Sequence, residues 1–69
     1  MSDAVYRKTE IVGTSTNGVD DAIRNGITRA RKTLRNLDWY EVTEIRGYIG
    51  EADPEYVQVT MKVGFKLDE

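Results

Sequence analysis

Between Tyr56 and Leu67 the chain alternates without a break. Val57, Val59, Met61, Val63, Phe65 and Leu67 fall on one side, and Tyr56, Gln58, Thr60, Lys62, Gly64 and Lys66 on the other. Period two over such a length dictates a β-strand, whose successive side chains point to opposite faces. An apolar stripe this long must be covered by a second layer, and the rest of the chain has to supply it. The segment suited to that is a helix over Val19, Ala22, Ile23, Ile27, Ala30, Leu34 and Leu37, which recur at i, i+3, i+4 spacing and share one face. Arg24, Arg29, Arg31, Lys32 and Arg35 fill the remainder and read as a solvated basic face. Ser15 or Asn17 can accept hydrogen bonds from the first free amides, and Asp20 and Asp21 suit the positive end of the helix dipole.

Two further strands frame this helix. Val5–Val12 is β-prone and ends at Gly13–Gly18. A longer run from Trp39 to about Gly50 is followed by Glu51-Ala52-Asp53-Pro54, a turn holding the one proline. A strand, a returning helix and a second strand leave those strands parallel, and the hairpin reverses the third. Placing the third strand in the middle makes every pairing antiparallel. The expected fold is therefore α+β: a β-α-β-β protomer with a three-stranded antiparallel sheet of order 1-3-2, its helix on one face, and residues 1–4 a loose end of a single domain over 1–69.

The second strand breaks parity. Tyr40 and Val42 fit one alternation, Ile45 and Ile49 the other. A β-bulge near Thr43-Glu44 reconciles them, because one extra residue reverses the facing of everything after it. Tyr40, Val42, Ile45 and Ile49 then face the helix, while Trp39, Glu41, Arg46 and Tyr48 face away together with Gln58. An indole, a guanidinium and a carboxamide on one sheet face form a plausible kit for a planar anionic ligand: stacking, an edge hydrogen bond and an anion contact. Taken singly each has an ordinary explanation, as a packing anchor, a surface ion-pair residue and an exposed strand residue. With Trp39 opposite about Lys66, Trp39 and Gln58 lie about 25 Å apart at roughly 3.3 Å per residue. One small ring touching both must be shared between subunits.

Composition narrows the chemistry. The 69 residues include no cysteine and no histidine, which removes disulfides, thiolate and imidazole metal ligands and the usual general base. A chain this short then looks to partner subunits for support. The net charge of −2, with Glu41 and Glu44 on the second strand, argues against a nucleic-acid-binding sheet. Gly13 to Gly18 is not G-x-G-x-x-G, which argues against a small flavin-dependent reductase with a nicotinamide site. No catalytic set and no metal set is expected. Without an apolar run of membrane or signal-peptide length, the expected setting is the cytoplasm.

The order and spacing of several segments resemble the dodecins. These are Val12-Gly13-Thr14-Ser15, Ala22-Ile23 with Ala30, Leu37-Asp38-Trp39, Glu41-Val42, Ile45-Arg46-Gly47, Tyr56-Val57-Gln58-Val59 and Lys62-Val63-Gly64-Phe65-Lys66-Leu67. The resemblance implies a hollow homododecamer that binds flavin near two-fold axes and stores and buffers it, with no enzymatic activity. It implies that Trp39 stacks on the isoalloxazine, Gln58 hydrogen-bonds the ring, and Arg46 resembles the arginine of bacterial members that favour FMN over riboflavin. Some bacterial members also bind coenzyme A, for which Lys66 is a candidate cation. Tyr40 departs from the family, where phenylalanine is common after the tryptophan.

Overall fold

In a computed structural model of the chain, residues 3–51 and 56–68 are described. The elements run β1 (Tyr6–Ser15), α1 (Val19–Ala30), β2 (Leu37–Tyr48) and β3 (Tyr56–Lys66). The three strands form one antiparallel sheet of order β1-β3-β2. Fold class, element order and sheet order are those the alternation demanded. The expected turn at 51–54 falls almost wholly outside the described residues.

Met61, Val59 and Val63 of β3 are fully buried against Ala22 of α1, with Ile11, Val19, Ile23, Ile27 and Leu34 packed around them. The helix sits low over β1. A Cβ added at Gly13 would run into the Ala22 carbonyl and approach the Gly26 amide, so a side chain there would push the helix off the sheet.

Three details differ from the sequence reading. The helix ends at Ala30, and Leu34 and Leu37 reach the core from the segment that follows it. Asn36 takes a left-handed conformation, φ 64°, and its side-chain amide donates to the Lys66 carbonyl at 3.1 Å and to Asp68 at 3.0 Å. That fastening lets Leu37 start a strand where the periodicity would have continued a helix. Neither Ser15 nor Asn17 caps the helix: Gly18 holds the cap position with no side-chain bond. The Ser15 hydroxyl instead accepts from the Asn17 amide at 2.8 Å and donates to Asp21 at 2.7 Å. That bond is the main reason the Asp21 carboxyl lies below its usual range.

The third difference concerns β2. Its pairing does shift between Val42 and Glu44, as the parity break required, and the Thr43 hydroxyl crosses to the Thr60 carbonyl at 3.2 Å. Tyr40, Val42 and Ile45 lie opposite Val63, Met61 and Val59, on the helix side of the sheet. Yet α1 covers β1 and β3 only. Tyr40 is 50% exposed, Val42 40% and Ile45 56%, and Ile49 lies beyond the strand in solvent. A groove of about 230 Å³ separates Ile27 of α1 and Arg31, just past its end, from Leu37 to Tyr40. The radius of gyration, 14.5 Å, exceeds the roughly 11 Å expected of a self-contained domain of this length.

Candidate functional site

The face of the sheet away from α1 carries two groups of side chains, one at each end. The first is built around Trp39. A second shift in the β2 pairing, between Leu37 and Trp39, absorbs Asp38 as an extra residue. Leu37 therefore packs into the core while Trp39, two residues on, emerges on the opposite face. Trp39 pairs with Gly64, not with Lys66 as the unshifted count suggested. The bulge at Thr43 moves the register by one residue, and the innermost pair, Tyr48 with Tyr56, moves it by another.

Pairing with Gly64 sets the posture of the indole. A Cβ on Gly64 would overlap the six-membered ring of Trp39, so the indole lies over bare backbone. Trp39 is 38% exposed. The Tyr6 ring flanks it at 5.3 Å between centroids with a 60° tilt, a favourable edge-to-face arrangement. The indole N–H donates a long hydrogen bond, 3.4 Å, to Glu41 Oε1, and the Lys8 ammonium contacts the same oxygen at 2.7 Å. These bonds, that from Lys8 first, hold the Glu41 carboxyl below its ordinary range, with the charge of Lys62 adding to the effect. Tyr6, Lys8, Glu41 and Gly64 all belong to the Trp39 group, and the sequence reading gave none of them that role. Their common parity was visible; the register that joins them was not.

The second group is centred on Arg46 and Gln58, which pair directly across β2 and β3. Among the described residues Arg46 reaches Glu44 alone, at 3.5 Å, and both side chains are more than half exposed, which makes this a weak tie. Beyond them Tyr48 and Tyr56 stack in parallel at 4.7 Å. Burial, ahead of the neighbouring Tyr48, pushes the Tyr56 hydroxyl to a higher pKa. Gln58 lies six residues along β3 from Gly64, the partner of Trp39, or about 20 Å at roughly 3.3 Å per residue. The structure thus brings Arg46 and Gln58 together and keeps both far from Trp39 of the same protomer.

A larger cavity, about 450 Å³, lies elsewhere, between α1 and the free edge of β1, and Asn25, Arg29 and Thr33 help line it. Its lining includes none of Trp39, Arg46 and Gln58. Among the described residues no three acidic side chains gather closely enough to hold a metal ion, and no helix is long and apolar enough to cross a membrane.

Fold and site together define a small β-α-β-β protomer with an aromatic platform on its helix-free face. The chain belongs to the dodecin family: the family model described as Dodecin matches residues 5–68. It is 58% identical over 65 residues to the dodecin of Thermus thermophilus, covering 94% of each chain. The solved dodecin from Streptomyces davaonensis superposes with a TM-score of 0.93 at 62% identity, covering 99% of this chain and 100% of that one. A T. thermophilus dodecin variant with tryptophan replaced by phenylalanine superposes at 0.92, with 55% identity and 97% and 100% coverage.

Proposed function

We propose that this dodecin binds flavin at seams between copies of itself in a hollow twelve-subunit shell, and that it stores and buffers the cofactor rather than catalysing a reaction. The observation that carries this reading is the seat of Trp39. An indole laid over a glycine and still 38% exposed offers a surface that suits a flat ring. The family relation supplies the ring class, and the absence of cysteine and histidine removes the commonest nucleophile and base.

The available residues fit a flavin. Trp39 offers the stacking surface, worth about 0.5–1.5 kcal/mol per aromatic pair beyond area burial. Gln58 can both donate to and accept from the polar edge of the ring. Arg46, beside Gln58 and loosely tied to Glu44 among the described residues, carries a guanidinium that suits a phosphate, which favours FMN over riboflavin. Because Trp39 and Gln58 of one protomer are about 20 Å apart by register, the platform of one copy and the polar pair of another share each ligand. The bare helix side of β2, with Val42 and Ile45, supplies apolar surface for the same assembly. When bound, the flavin would supply a photo-oxidising ring, for which the stacked Trp39 indole would be the electron donor, with return of the same electron leaving no net oxidation. Coenzyme A is a second candidate ligand, with Lys66 opposite Tyr6 at the Trp39 end as a phosphate contact. The cytoplasm is the setting that suits an FMN buffer.

An FMN titration followed by flavin fluorescence tests the reading. The native protein should quench the emission on binding. Trp39→Ala should keep the same particle size, bind FMN at least tenfold more weakly and leave the emission bright. Equal affinity and equal quenching in the variant would remove Trp39 from the site.

A further inference from the structure

Three neighbours fix the Trp39 indole, and only one of them can change its charge in the acid range. Gly64 lies beneath the ring and Tyr6 flanks it. The nitrogen edge is held by Glu41 Oε1 at 3.4 Å, and that oxygen is itself held by Lys8 Nζ at 2.7 Å. These groups occupy adjoining rungs of the sheet: Lys8 lies opposite Gly64, and Glu41 opposite Lys62.

We propose that Glu41, clamped by Lys8, is a positioning residue that fixes the rotation of the Trp39 indole on its glycine seat, so that retention of a stacked planar ligand weakens when Glu41 is protonated. The proposal rests on the reading of Trp39 as the flavin platform. A tryptophan over a bare glycine has no side chain beneath it to stop it turning. A platform free to turn must be ordered by its ligand, at a cost in affinity. An ionised carboxylate accepts from the indole N–H and from the ammonium together; the 2.7 Å ammonium bond is of the charge-assisted kind, roughly twice as strong as a neutral one, and it anchors the carboxylate for the longer, weaker 3.4 Å bond to the indole.

The direction of the pH effect follows from the surroundings. The charged groups facing Glu41 are Lys8 on β1 and Lys62 on β3, with Glu10 on β1 opposite Lys62 and Glu44 next along β2 on the same face, itself paired with Arg46; α1 lies on the other face of the sheet. The two lysines favour the ionised form. The clamp is therefore intact at neutral pH and is lost only as the pH falls through a value below the ordinary carboxylate range.

The test is riboflavin binding by the assembled protein, titrated from neutral into acid. Riboflavin lacks the phosphate whose own ionisation would blur the acid limb. Native protein should bind tightly at neutral pH and lose affinity in acid while its particle size, followed by size exclusion, is unchanged. Glu41→Gln, a permanently neutral side chain of the same shape, should bind about three- to tenfold more weakly at neutral pH and show no acid limb. Lys8→Met should bind at neutral pH but lose affinity at a higher pH than the native protein, because the bond that lowers the Glu41 pKa most is gone. A merely structural role for Glu41 does not move that midpoint. Should Glu41→Gln disturb the particle, the Lys8→Met midpoint decides alone. Native affinity and an unchanged acid limb in Glu41→Gln, or an unmoved midpoint in Lys8→Met, overturn the proposal. Trp39→Ala, run alongside, separates the two claims. If it loses binding while the Glu41 and Lys8 variants behave as native, only the positioning role fails. If it too behaves as native, the platform reading fails.

Discussion

Strands β2 and β3 are paired along their whole length and both carry apolar side chains on the helix side, yet they live in different surroundings. On β3, Val59, Met61 and Val63 are fully buried beneath α1. On β2 the residues opposite them, Ile45, Val42 and Tyr40, stand about half exposed because α1 stops short. The same strand presents Trp39 and Arg46 on its other face. Burying what remains exposed of those three β2 side chains is worth roughly 1 kcal/mol each at about 25 cal/mol per Å². That is little within one protomer and much when repeated around a shell. β3 belongs to the fold of one chain, whereas β2 leaves apolar surface that the proposed assembly would cover.

Substitutions on the two strands should therefore fail in different ways. The largest effect is expected from Ile45→Asp. A charge in an apolar seam should abolish the large particle in sedimentation while the circular dichroism of the protomer persists, because α1 does not rest on Ile45. An intact shell would show that the helix side of β2 faces solvent in the assembly. Met61→Ala should act on the fold itself, lowering unfolding stability by about 2–5 kcal/mol, as cavity-forming core substitutions do. Gly64→Ala sharpens the contrast from within β3, since Gly64 is buried but serves β2. Its methyl would lift the indole from its seat, so FMN affinity should fall about tenfold or more with the thermal midpoint nearly unchanged; native affinity would mean that the flat posture is not needed. Arg46→Ala should have the smallest effect, weakening FMN several-fold and riboflavin hardly at all, as isothermal titration would read. Equal losses for both flavins would place Arg46 on the ring or in the assembly instead of on the phosphate.

Most of the fold was legible because period-two and period-three-and-four patterns do not mimic one another over segments this long. The unbroken alternation of β3 dictated its central place, and the parity break in β2 revealed the bulge at Thr43. The end of the helix was not legible, because Leu34 and Leu37 continue the helical spacing by coincidence. The helix gives way to a turn after Ala30, and the left-handed Asn36, whose tie to Lys66 and Asp68 bridges distant sequence, then directs the chain into β2. Trp39, Arg46 and Gln58 were legible as members of one face, since facing is a parity argument. The grouping around Trp39 was not, because a seat on Gly64, a flank from Tyr6 and a clamp from Lys8 and Glu41 depend on register across three strands. A two-residue shift of register, which leaves parity unchanged, decides whether Trp39 meets a glycine or a lysine.

The central claim is that β2 is completed by other copies of the chain and that flavin is held where they meet. Size-exclusion chromatography of the protein mixed with FMN, with an absorbance spectrum across the eluted peak, tests it most directly. The account predicts a particle near twelve protomers in mass that carries the flavin bands with its emission quenched. A protomer-sized peak with FMN eluting separately would contradict it.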